Sequence, residues 1–158
     1  MNRKPLAIGV VALALVGLSA CTPRPGAAAY VGADKITVEQ VQADGAEVIA
    51  AAAKAGQTKL DAAEVNRRQV NRLVTERLIA VEAARRGITV SDAEVDALLR
   101  QAIGTTDRAT FENQLAASQL VPPSRLDAFA ATVALNQKVV ATVLLDGIPR
   151  PAATSEQQ

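Results

Sequence analysis

The sequence predicts an all-α protein of about five helices in one domain, with a short β-hairpin at its start. Two observations predict this class. Apolar residues recur every three to five positions over most of the chain, which is the spacing of helices that bury one face. Four of these stretches also begin at a Ser, Thr or Asp that can cap a helix, and several end at a glycine.

The hairpin is predicted at the start of the domain. Residues 28–32 form a short apolar run that ends at Gly32, and residues 36–38 form a second apolar run a few positions later. Two short runs separated by a glycine-containing turn are typical of a small hairpin.

The first helix begins at Thr37, which forms a capping-box pattern with Gln40, and runs to about residue 55. Gly45 lies inside it and weakens it by roughly 1 kcal/mol relative to alanine. Because this helix is weakly patterned, its stripe is the candidate peptide-binding surface. That stripe consists of Val38, Val41 and Val48.

The strongest helical pattern covers residues 61–86 and predicts the centre of the core. The C-terminal end of this helix has favourable capping signals, because Arg85 and Arg86 place cations at the negative end of the helix dipole and Gly87 follows. We expect Leu78 to be buried, so that its truncation costs about 2–5 kcal/mol. The apolar stripe consists of Val65, Val70, Leu73, Val74, Leu78 and Val81.

Three more helices complete the predicted domain. Ser91 and Glu94 form a second capping box before a helix that stops at Gly104. Asp107 begins the next helix, and a turn at residues 122–124 precedes the last one, which runs to residue 146. We expect residues 28–146 to form the helical domain and residues 147–158 to be a disordered tail.

The first 20 residues have the layout of an export signal. Arg3 and Lys4 precede an uncharged apolar run at residues 5–20. That run is shorter than the roughly 20 residues that a membrane-spanning helix needs. We therefore expect a signal peptide at residues 1–20 and not a permanent membrane span.

The end of this run resembles the lipobox of bacterial lipoproteins. Leu18, Ser19 and Ala20 precede Cys21, the only cysteine of the chain. The resemblance implies cleavage before Cys21 and diacylation of its sulfur, and two acyl chains anchor a protein stably. We expect residues 21–27 to be a tether and the protein to be lipid-anchored on the extracytoplasmic face of a membrane.

The composition argues against several function classes. The chain has no histidine, which removes the commonest general base and metal ligand. Loss of Arg3 and Lys4 would change the formal net charge from +1 to −1, so the charge gives no sign of a basic surface for nucleic acid. The aromatic content is 2%, so few side chains could stack on bases. Acids at 92, 94 and 96 already have a structural reason at a helix start. We expect no enzyme activity, no metal and no cofactor.

Three stretches resemble the N-terminal domain of SurA-like periplasmic chaperones and their PrsA-like relatives. They are AAYVGADKITVEQVQ at 28–42, VNRLVTERLIAVEAARRGITVSDAEVDALLRQ at 70–101 and FENQLAASQLVPPSRLDAFAATVALNQKVV at 111–140. The resemblance covers about residues 28–145. It departs from the family at Gln119, where many relatives have glycine before the last turn.

Many family members continue into a parvulin-type prolyl isomerase domain, for which this sequence has neither the room after residue 145 nor the histidines. The resemblance therefore implies a binding module that holds unfolded or nascent exported polypeptides without prolyl isomerase activity. The alternative is a lipoprotein adaptor or structural envelope component that docks one folded partner.

Overall fold

The computed structural model describes residues 25–146. The predicted signal peptide, Cys21 and the predicted tail lie outside the described residues. The described part of the chain has two strands, five α-helices and a one-turn 3-10 helix at Pro123–Arg125, so the predicted fold class is confirmed. The elements are β1 (Ala27–Val31), β2 (Asp34–Thr37), α1 (Val38–Lys54), α2 (Ala62–Arg85), α3 (Asp92–Ile103), α4 (Arg108–Gln119) and α5 (Leu126–Asp146).

The two strands pair as an antiparallel hairpin, with Ala29 opposite Ile36 and Val31 opposite Asp34. Gly32 takes a positive φ of 60° in the turn, a conformation that favours glycine. Ile36 is fully buried and packs with Val41 of α1 and Leu73 of α2. This cluster fixes the hairpin against the first two helices.

Four helices begin where the cap residues predict. In each one the side chain of the cap accepts a hydrogen bond from the backbone amide three residues later. The caps are Thr37, Asp61, Ser91 and Asp107. The capping box at Ser91 and Glu94 is complete in both directions.

Gly45 is buried where α1 crosses α2, which gives it a role that the pattern did not indicate. A Cβ atom built on Gly45 would overlap Oδ1 of Asn66 on α2. The glycine therefore allows a close approach of the two helices, in addition to its unfavourable intrinsic helix propensity.

The helices assemble around two apolar clusters. α1 packs against α2 and α4, α2 also contacts the hairpin and α5, and α3 packs against α5. The second cluster, between α3, α4, α5 and the turn before α5, consists of Leu99, Leu115, Val121, Leu126 and Ala130.

The prediction for Leu78 is wrong, because this side chain is 54% exposed and Val81 on the same helix is 56% exposed. Leu73, five residues earlier, is fully buried as predicted. The covered face of α2 carries Val65, Gln69, Leu73, Glu76 and Ala83. Two of these are polar, so a stripe chosen by apolar residues alone is rotated away from the side that the neighbouring elements cover.

Candidate functional site

An open apolar groove of about 380 Å³ lies between α3, α4 and α5, and we call it the apolar groove. Its lining contains no charged residue, and Gln119 is its single polar member. The other lining residues are Leu98, Leu99, Ala102, Phe111, Leu115, Leu126, Phe129, Ala130 and Val133. An apolar cleft with few polar groups is the usual form of a ligand-binding site.

The turn between α4 and α5 connects two lining residues of this groove, Gln119 and Leu126. Leu120 ends α4 with a left-handed conformation, φ 56° and ψ 37°, which costs a non-glycine residue about 1–2 kcal/mol. Gln69 Nε2 of α2 donates a hydrogen bond of 2.8 Å to the Leu120 carbonyl oxygen. Gln69 is 1% exposed, so a buried contact with α2 holds this turn in place.

A cluster of charged side chains ties the same turn to α1 and α2. Asp44 Oδ2 of α1 lies 2.7 Å from Arg125 Nε and 3.5 Å from an Arg72 guanidinium nitrogen. Arg72 also pairs with Glu76 at 3.0 Å and bonds the side-chain oxygen of Gln69. Burial lowers the pKa of the Arg72 guanidinium, and the neighbouring carboxylates of Glu76 and Asp44 oppose that shift. We call these five side chains the polar cluster.

A second cavity, of about 320 Å³, lies on the other side of α5, between α5 and α2. Phe129 and Val133 of α5 border both cavities. The second cavity is also lined by Arg72 and Glu76 of the polar cluster, by Ile79 and by four amide or hydroxyl side chains of α2 and α5. The apolar groove differs from this cavity in having no charged side chain in its lining.

The C-terminal end of α5 carries exposed apolar side chains outside both cavities. They are Val140, Val143, Leu144 and Leu145, with exposed fractions between 45% and 69%. The segment Pro123–Leu145 is long and apolar enough to cross a membrane by length and composition alone, with a mean hydropathy of 1.5. One such helix is weak evidence of a membrane span, because core helices and signal sequences pass the same test. Only 11% of the apolar window is buried, and α5 contacts α2 and α3.

The residues predicted for lipidation and peptide binding differ in whether the structure describes them and in how far they are buried. Cys21 lies outside the described residues, so its lipidation stays a prediction. Val41 is 4% exposed and Val48 is fully buried, while Val38 is half-buried. Two of the three valines are thus core residues, and their burial gives no support to a peptide-binding stripe on α1.

The sequence pattern missed the groove residues because it identified them only as core positions. Phe111 and Phe129 are the only two phenylalanines of the chain, and both are half-buried on the groove wall. The rarity of large aromatic residues was a signal that could have singled them out. Within residues 25–146, no group of three or more acidic, cysteine or histidine side chains is arranged to hold a metal ion.

The comparison with protein families gives one match. The family described as SurA-like N-terminal domain matches residues 5–139, which is most of the chain and includes β1 to α4 and most of α5. Comparisons with curated proteins and with solved structures gave no match. The family is of a chaperone type, which indicates a chaperone-like role. Together with the helix order and the hairpin at its start, the match establishes that the chain belongs to the SurA-like N-terminal domain family.

Proposed function

We propose that this protein is a lipid-anchored extracytoplasmic chaperone that binds unfolded or nascent exported polypeptides in the apolar groove, without prolyl isomerase activity. The observation that carries the proposal is the groove itself, a cleft of about 380 Å³ with apolar walls from three helices and no charged lining residue. Folded proteins bury their contiguous apolar segments, so such a surface favours unfolded chains.

The chemistry of the groove suits binding and not catalysis. Its lining offers no side chain that titrates, and the full sequence contains no histidine to act as a general base. Binding would then be driven by the burial of apolar surface, which depends little on ionic strength.

A charge placed in the groove tests this function without removing a core side chain. Ala102 is exposed and lines the groove on α3, whereas Ala97 is exposed on the same helix outside the lining. Ala102→Glu should weaken binding of a permanently unfolded, fluorescently labelled polypeptide by at least about five-fold, because an apolar segment would have to desolvate the new carboxylate. Ala97→Glu is the matched control and should bind like the wild type.

The titration is carried out with the full-length protein in detergent at low and high salt. Equal weakening by both variants, or no detectable binding by the wild type, would contradict groove binding. A prolyl isomerisation assay run beside it should give the uncatalysed rate, and a faster rate would contradict a purely binding function.

The membrane anchor is a separate part of the proposal. Its support is the Leu18–Ser19–Ala20–Cys21 pattern behind a positively charged start and an apolar run. Cys21→Ala should leave the protein uncleaved or release it from membranes in a cell fractionation experiment. A Cys21→Ala protein that is cleaved and still sediments with membranes would show that another segment is the anchor.

The second candidate function is an adaptor that docks one folded envelope partner. The exposed apolar end of α5, residues 140–145, is the observation that favours it. Tight binding of one folded protein, lost in a Leu144→Ser and Leu145→Ser double variant and accompanied by no binding of unfolded chains, would support this candidate over the chaperone.

A further inference from the structure

Helix α3 is the least buried wall of the apolar groove. Of its 12 residues, Leu99 alone is buried, whereas α4 has two buried residues among 12 and α5 has three, Leu126, Ala130 and Ala134. Val95, Leu98 and Ile103 of α3 are half-buried against the same apolar cluster. Leu98, Leu99 and Ala102 of α3 line the groove. Segments with few buried apolar contacts open at a lower free energy than the core of the same domain.

A glycine with a positive φ lies near each end of α3. Gly87, between α2 and α3, has φ 66°, and Gly104, after α3, has φ 59°. A Cβ atom at either position would meet nothing within 4 Å. These glycines are therefore not required by close packing, and they lie where the backbone would have to rotate if α3 moved as a unit.

Lys138 of α5 contacts the N-terminal end of α3, beside the half-buried Val95, which packs against the apolar cluster. Lys138 Nζ lies 2.6 Å from Glu94 Oε1 and donates a hydrogen bond of 2.8 Å to the Thr89 carbonyl oxygen, in the link before α3. The other carboxylate oxygen of Glu94 accepts from the Ser91 amide and hydroxyl in the capping box. Lys138 thus contacts both the link and the first turn of the helix.

This contact is a weak one, because both side chains are substantially exposed, at 39% for Lys138 and 47% for Glu94. Exposed ion pairs of this kind change an equilibrium by a factor of roughly two to five. A wall with one buried side chain and a weak ionic contact is suited to opening without unfolding the domain. α1 and α2, by contrast, are joined by the largely buried Arg72–Asp44 contact of the polar cluster.

We propose that α3 is a movable wall of the apolar groove and that Lys138 is the latch that holds it closed. Opening separates Leu98, Leu99 and Ala102 from the opposite wall and widens the groove for an apolar segment. The role in client binding rests on the proposed function, but the movement of α3 does not.

Hydrogen exchange of the full-length protein in detergent measures the opening of α3 directly. In the wild type, α3 amides should exchange faster than those in the middle of α2. Lys138→Met keeps most of the apolar stem, and Glu94→Gln keeps a side chain that can complete the capping box. Each variant should speed α3 exchange by about two- to five-fold and leave α2 unchanged.

A second exposed ion pair of α5 provides the matched control. Arg108 of α4 lies 3.1 Å from Asp127 of α5, at 50% and 66% exposure. Arg108→Met removes an interhelical pair of the same class without touching α3, so α3 exchange should stay at the wild-type rate. Raising sodium chloride from about 0.05 M to about 1 M should speed α3 exchange in the wild type, through screening of the Lys138–Glu94 pair, and much less in Lys138→Met.

Two results would overturn the movable wall. The first is α3 exchange no faster than that of α2 in the wild type. The second is an equal increase in α2 and α3 exchange in Lys138→Met, which would indicate global destabilisation. If opening of α3 admits the polypeptide, Lys138→Met should bind a carboxymethylated unfolded polypeptide faster than the wild type. An unchanged association rate, despite faster α3 opening, would overturn this role of α3 in binding. Complete absence of polypeptide binding together with latch-dependent exchange would support the movable wall and contradict the proposed function alone.

Discussion

Arg125 Nε lies 2.7 Å from Asp44 Oδ2, a contact that joins the 3-10 helix before α5 to the middle of α1. A second contact acts beside it, because Glu47 of α1 accepts hydrogen bonds from the Ser124 amide and hydroxyl at 2.7 and 2.5 Å. Together these bonds fix where α5 begins, and α5 in turn supplies Phe129 and Val133 to the groove.

Removal of the Asp44 carboxylate should destabilise the domain strongly. The Asp44 side chain is 9% exposed, and Asp44→Ala leaves the partly buried guanidinium of Arg125 without that partner. Loss of one member of a buried ion pair costs about 3–5 kcal/mol. Urea unfolding should record this loss, whereas Arg67→Ala, at an exposed pair on α2, should cost less than about 1 kcal/mol. Similar losses in the two variants would mean that the polar cluster is not a structural centre.

Truncation of a buried and of an exposed leucine on α2 should lower the free energy of unfolding by different amounts. Leu73 is fully buried, so Leu73→Ala should lower the free energy of unfolding by about 2–5 kcal/mol. Leu78 is 54% exposed, and Leu78→Ala should cost less than about 1 kcal/mol. A large loss at Leu78 would indicate that a second surface covers this part of α2 in solution.

The close approach at Gly45 predicts a coupled effect with Asn66. Alanine is favoured over glycine by about 1 kcal/mol inside a helix, but the added methyl group would overlap the Asn66 side chain. Gly45→Ala should therefore stabilise the protein by about 1 kcal/mol in an Asn66→Ala background and by clearly less in the wild type. The same change in both backgrounds, measured by thermal and urea unfolding, would contradict the predicted overlap.

The stability of the domain should fall as the pH drops from about 4.5 toward 2. Hydrogen bonds from Lys138 and then from Ser91 lower the pKa of Glu94 from 4.5 to about 2. Because the pKa of the folded state lies below that of the unfolded state, this contribution is complete above about pH 4.5 and is lost as the pH falls through about 2. The Glu94→Gln variant lacks this contribution of the ionised carboxylate. The difference in urea midpoint between wild type and variant should therefore shrink as the pH falls from about 4.5 to about 2.

The effect is small because Glu94 is open to solvent, and a second group contributes in the same range. Arg85 and then Arg86 lower the pKa of Glu82 to about 2 by hydrogen bonds. A Glu82→Gln variant is therefore the matched control. Its stability should also depend less on pH in this range, but amide hydrogen exchange in α3 should stay at the wild-type rate. Parallel pH profiles for the wild type and Glu94→Gln would show that the Lys138 contact does not persist in solution.

The sequence by itself determined the helices, the hairpin and most of their boundaries. The caps at Thr37, Asp61, Ser91 and Asp107 depend on hydrogen bonds between residues three positions apart, which are legible in a short window of sequence. The resemblance to the SurA-like N-terminal domain likewise rests on the order of such local features, and the family match agrees with it.

The tertiary structure alone decided which side of each helix is covered. Gln69 is buried because the Leu120 carbonyl, 51 residues away, accepts its hydrogen bond, and Glu76 is buried beside Arg72. Leu78 is exposed although it is apolar. Helical periodicity records which residues avoid water, but the covered face depends on partners far along the chain, whose position no local pattern specifies. For the same reason the apolar groove follows only from the tertiary structure, because its walls come from three helices, α3, α4 and α5.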